Sequence, residues 1–100
     1  MYGIRINLYE EIINVFMAFN IKKAILFGSR ARGNFKNTSD IDIAIEFSTH
    51  DKDNFIKLFT KLEELNTLYK FDIVDINSLN DNSIFKKEIL KDGIVIYEKN

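Results

Sequence analysis

Asp40 and Asp42 are the residues whose type and spacing best suit them to chemistry. They open the run Asp40-Ile41-Asp42-Ile43-Ala44-Ile45, whose strict alternation is the period-2 mark of a β-strand. On such a strand both carboxylates leave one face, while Ile41, Ile43 and Ile45 leave the other. Two carboxylates side by side repel each other unless a cation lies between them. Upstream stands Gly28-Ser29, separated from Asp40 by ten residues that include Arg30 and Arg32. A glycine there lets the backbone turn sharply and lets a phosphate approach main-chain N–H groups. Ser29 adds a hydroxyl donor, and a helix opening at about Ser29 aims unpaired N–H groups and a positive dipole end at the same place. Arg30 and Arg32 supply guanidinium forks that grip phosphate oxygens. The cation that fits beside these groups is a divalent metal holding a phosphate.

Each part has an ordinary explanation when taken alone. Gly-Ser makes a common turn, and Asp-x-Asp often begins a strand or caps a loop. The combination, a strand ending in Gly-Ser and a second opening in Asp-x-Asp, is far more specific than its parts. A third carboxylate has two candidates in FDIVDINS, Asp72 and Asp75. Three positions apart on one strand, they face opposite ways and cannot both join the site. Glu46 shares a face with Asp40 and Asp42 but lies further along, and reads as a solvated strand end. His50, the one histidine, falls in a loop between Thr49 and Asp51 and reads as solvated.

These residues need a scaffold. Asn7 followed by Glu10 predicts a capping box, and Leu8, Ile12, Ile13, Phe16 and Phe19 predict an amphipathic helix from Asn7 to about Asn20. Lys23 to Phe27 is a short apolar strand, central in a sheet. Gly28 to Asn34 is a tight turn running into a short helix, Phe35 to Ser39 a polar loop, and Asp40 to Phe47 the second strand. Ser48 to Asp51 is a loop with several N-cap residues. Phe55, Leu58, Phe59, Leu62 and Leu65 mark the clearest helix, its apolar stripe turned to the core. Lys70 to Ile76 is a third strand, and Ser78 to Ser83 a turn. Ile84, Phe85, Ile89 and Leu90 give a last helix stopped by Gly93 in the C′ position, and Ile94 to Tyr97 a final strand. The order predicts an α/β fold of the α+β type, a mixed β-sheet with helices packed on it.

Composition narrows the function classes. One hundred residues predict a single domain, 1–100, with room for one core. A hydrophobic content of 46% argues for a packed globule over a disordered chain. With a net charge of −1 there is no global basic field to gather nucleic acid, so no direct nucleic-acid binding is expected. The absence of cysteine excludes a disulfide framework and a thiolate metal site. MYGIRINLYEE lacks a signal peptide's apolar core, and no apolar run nears the ~18 residues of a membrane span, so a cytoplasmic protein is expected.

Gly28-Ser29, the ten residues Arg30 to Ser39, and Asp40-Ile41-Asp42 resemble the signature of the DNA polymerase beta-like nucleotidyltransferase superfamily. GSRARG followed by SDIDIAIE further resembles the minimal nucleotidyltransferases, and the likeness extends to the strand with Asp72 and to KKEILKDGIVIYE. The resemblance implies that ATP binds with its triphosphate on Gly28 and Ser29. Asp40 and Asp42 would hold two Mg²⁺ ions, with Asp72 in the position of the third carboxylate. It also implies a role: many minimal members are antitoxins that transfer AMP to a tyrosine of a HEPN ribonuclease toxin. So short a chain has little surface for selecting an acceptor, so the acceptor itself docks or a homodimer completes the site. Two alternatives are a non-catalytic module that masks a helical partner, and a nucleotidyltransferase acting on a small molecule such as an aminoglycoside. Against the latter, no acidic cleft beyond the metal carboxylates is present to collect a polycation.

Overall fold

The computed structural model describes residues 1–48 and 52–99. The prediction for Thr49, His50 and Asp51 lies outside the described residues. The elements run α1 (Ile6–Ala18), β1 (Ile21–Phe27), α2 (Gly28–Arg32), β2 (Ile41–Phe47), α3 (Lys52–Glu63), β3 (Phe71–Asp75), a 3₁₀ turn (Ile76–Ser78), α4 (Ile84–Asp92) and β4 (Ile94–Glu98). The strands form one mixed sheet in the order β3-β2-β1-β4. β1 is antiparallel to both β2 and β4, and β2 is parallel to β3 through the α3 crossover.

The alternation in β2 explains the layering. Ile41, Ile43 and Ile45 are fully buried with Ile12, Phe16, Leu58 and Leu62, in the core that α1 and α3 form against the sheet. Each such side chain contributes about 1.5–3 kcal/mol by leaving water. The other face holds a smaller cluster, Ile25, Phe27 and Ala44 under Ile76 and Ile89 of the 3₁₀ turn and α4. Phe85 of α4 sets its ring edge-on to Phe27, 5.7 Å between centroids. Asp42 and Asp72 lie on this second face, and Asp72 is exposed.

Three local expectations are corrected. The capping box does not form: α1 starts at Ile6 with Arg5 in the cap position and no side-chain cap. Asn7 is already inside the helix, because the Met1–Ile4 turn feeds it one step earlier. Gly93 ends α4 in extended conformation (φ −69°, ψ 152°), so no left-handed cap is made. It is glycine for room, since a Cβ there would strike the Ile89 carbonyl and the Ile25 side chain. Asp40 precedes β2 instead of opening it, and the pairing with β3 begins at Ile41.

Candidate active site

The register of β1 and β2 sets Phe27 beside Asp42, so the chain leaves the sheet at Gly28 next to that aspartate. Gly28 has φ +75°, a region L side chains rarely adopt, and a Cβ added there would land on the Asp42 carboxylate. Glycine is therefore demanded twice, by the turn and by the approach. Ser29, partly buried, sits in the first turn of α2; its carbonyl accepts the N–H groups of Gly33 (2.9 Å) and Asn34 (3.1 Å), closing the helix at once. Gly33, at φ +85°, is the left-handed residue that stops it.

On the other side of β2, the parallel register puts Asp72 directly opposite Asp42. Paired residues on neighbouring strands share a face, so these two carboxylates project together. Asp40, exposed, stands two residues before Asp42. The crowding shows in the proton affinity of Asp42, which is pushed up to about 6. Burial is the largest cause, followed by the charges of Asp72 and Asp40, while Arg30 and Arg32 pull the other way. A half-buried carboxylate between two others is a place that a cation would relieve.

Among the described residues, no three carboxylate or imidazole groups converge into a finished metal cage. Mg²⁺ is typically held by one or two carboxylates, with substrate phosphates and waters completing its shell. The all-oxygen donor set of Asp40, Asp42 and Asp72 fits such an ion.

The two arginines part company. Arg32 is exposed and its charge reaches Asp42. Arg30 is only 1% exposed and its guanidinium is turned inward. Nη2 donates to the Ser39 carbonyl (2.8 Å), Nη1 to that of Tyr2 (3.0 Å) and Nε to that of Asp40 (3.3 Å). The group also lies over the rings of Tyr69 (4.8 Å) and Phe35 (5.2 Å). The expectation that Arg30 grips phosphate is thus corrected: its donors are already committed to backbone. The sequence held a signal for this, since residues two apart on a helix do not face the same way.

Asp75 stands apart from the cluster. Its Oδ1 accepts the N–H of Asn77 (3.0 Å), and its carbonyl accepts the Ser78 hydroxyl (2.7 Å), capping the 3₁₀ turn. Glu46 pairs with Lys22 at 3.7 Å. Tyr2, Phe35 and Tyr69, which surround Arg30, are the contributors that sequence reasoning missed; they come from three distant segments and no local pattern joins them.

The chain is similar to proteins already characterised by sequence or structure. The family model "Polymerase beta, Nucleotidyltransferase" matches residues 10–100. A protein of Methanocaldococcus jannaschii named "Putative protein adenylyltransferase MJ0604" is 41% identical over 86 residues, covering 77% of this chain and 79% of that protein. A second from the same organism, "Putative protein adenylyltransferase MJ1215", is 42% identical over 62 residues, covering 61% and 71%. Among solved structures, "Crystal structure of the toxin-antitoxin with AMP-PNP" superimposes with a TM-score of 0.71 at 25% identity, covering 92% of this chain and 74% of that one.

Proposed function

Because the chain belongs to the polymerase beta nucleotidyltransferase family, we propose that it transfers AMP from ATP to a tyrosine of a HEPN ribonuclease toxin in the cytoplasm, and so acts as an antitoxin. The observation that carries the reading is the apposition at the sheet's end: Asp42 lies against Gly28 and in register with Asp72. The adenylyltransferase names of the relatives support the choice of AMP and of a protein acceptor. The similar toxin–antitoxin structure with AMP-PNP supports ATP and a toxin partner.

The residues divide the work. Gly28 admits the triphosphate to the main chain without a Cβ in the way, and the first N–H groups of α2 and the Ser29 hydroxyl donate to phosphate oxygens. Arg32, free of the sheet and close enough to act on Asp42, balances phosphate charge from the solvent side. Asp40, Asp42 and Asp72 would hold two Mg²⁺ ions, which when bound neutralise the phosphates and acidify the acceptor hydroxyl. The acceptor hydroxyl gives up its proton to solvent, and its oxygen forms a bond to the α-phosphorus as the bond to the bridging oxygen breaks and pyrophosphate leaves. Catalysis here is positioning and charge neutralisation.

The test is to incubate the protein with Mg²⁺, ATP and the product of its neighbouring gene, and to weigh the partner intact. The expected result is a gain of one or more AMP units with matching pyrophosphate release, abolished by Asp40→Ala combined with Asp42→Ala. An unchanged partner mass with no pyrophosphate would defeat the proposal. If the double variant still neutralised its partner in cells, masking by contact would replace transfer as the protective act.

A further inference from the structure

The buried guanidinium of Arg30 has a consequence for Asp40. Asp40 sits just before the β2 ladder, and the peptide that follows it is tied to the neighbouring strand by the Ile41 N–H, which donates to the Lys70 carbonyl (2.8 Å). Arg30 adds a second hold, its Nη2 and Nε reaching the consecutive carbonyls of Ser39 (2.8 Å) and Asp40 (3.3 Å). The same guanidinium is held in turn. Nη1 donates to the Tyr2 carbonyl (3.0 Å), and the rings of Phe35 and Tyr69 lie over it. The N-terminal segment is bent to make that contact: Tyr2 has φ +55° and Gly3 φ +74°, and a Cβ on Gly3 would strike the Phe35 ring. A non-glycine residue at positive φ is unusual and persists where its surroundings enforce it.

We propose that Arg30 is a positioning residue: braced by the N-terminal hook and two aromatic rings, it fixes the Ser39–Asp40 backbone and so delivers the Asp40 carboxylate to the divalent-cation site. This deepens the nucleotidyltransfer reading and rests on it. Residues that orient metal-binding groups in this way typically change metal affinity by 10–100-fold when altered. The brace also explains why two arginines so close in sequence do different jobs, one toward solvent and one toward the frame.

The test uses the full chain and Mn²⁺ as the probe, with binding read by calorimetry in the presence of AMP-PNP. Amide hydrogen exchange at Ser39, Asp40 and Ile41 is followed in parallel. Arg30→Lys keeps the charge but loses the fork, and Gly3→Ala strains the hook, because its Cβ would meet both the Phe35 ring and Arg30 Nη1. Both are expected to weaken Mn²⁺ binding by ~10-fold or more. Both should also speed exchange at those three amides ahead of exchange in β1 and β2. Asp40→Asn sets the scale of a lost ligand, and adding it to Arg30→Lys should cost little further affinity. Should one substitution unfold the chain, the other gives the answer. Variants that bind Mn²⁺ within twofold of the parent, or lose affinity additively with Asp40→Asn, would overturn the proposal while leaving the nucleotidyltransfer reading intact. A parent chain that bound neither Mn²⁺ nor AMP-PNP would overturn both.

Discussion

Gly28 and Asp42 share one small volume, and each restricts the other. An alanine at 28 would have to hold a positive φ and displace the Asp42 carboxylate. Gly28→Ala should lower kcat/KM by about 100-fold, the scale of a misplacement near 1 Å. It should also cost ~1–2 kcal/mol of stability from the left-handed backbone. Pyrophosphate release and thermal melting measure the two effects. Asp42 carries a separate prediction. Its folded-state pKa, about 6, lies above the ordinary 3.8, so the folded chain binds more protons than the unfolded one between these values. Stability from this group is therefore full below pH ~4 and falls as pH rises toward 6. In metal-free protein at pH 7, Asp42→Asn should raise the melting temperature by ~4–8 °C, equivalent to about 1 kcal/mol once solvent screening is allowed for. The gain should vanish near pH 4. A melting temperature that the substitution lowers at pH 7 would contradict the crowding of carboxylates.

The elements owe their stability to faces more than to caps. β2 is the sheet's spine because its isoleucine side is sealed by α1 and α3, while on its aspartate side Ala44 is covered by Ile76 and Ile89. Ile43→Ala should cost ~2–5 kcal/mol, read from denaturant midpoints. At the end of α4, Gly93→Ala should cost ~1–3 kcal/mol through overpacking against Ile89 and Ile25. A left-handed cap would have predicted a strain penalty at the same site for a different reason. Ile25→Ala would relieve only the part of the clash that comes from the Ile25 side chain and would leave the Cβ against the Ile89 carbonyl. α1 shows the same rule, since it stands without its expected cap by burying Ile12 and Phe16.

At the scale of the molecule, the core closes without help from the site. Neither apolar cluster includes the three aspartates, although Phe27 of the smaller one stands in register with Asp42, and Asp40 and Asp72 are exposed. Removing divalent cations with EDTA should therefore abolish AMP transfer and leave far-ultraviolet circular dichroism unchanged. A chain that unfolded in EDTA would show that the cation is structural. No helix among the described residues is long and apolar enough to cross a membrane.

What the amino-acid order determined is what lies close along the chain. The pleat of β2 fixed Asp42 to one side and Ile41, Ile43 and Ile45 to the other, and Gly28 marked the turn that meets Asp42. Even the opposed directions of Arg30 and Arg32 follow from helical geometry. The tertiary structure alone decided which partners meet across long separations. Asp72 stands opposite Asp42 because β3 returns through α3 in parallel register, while Asp75 turns away to cap the 3₁₀ turn. Arg30 is drawn from solvent by Tyr2, Phe35 and Tyr69, which only folding gathers around it. Local rules act over a few residues, whereas burial and register are properties of surfaces that exist only once the chain has closed on itself.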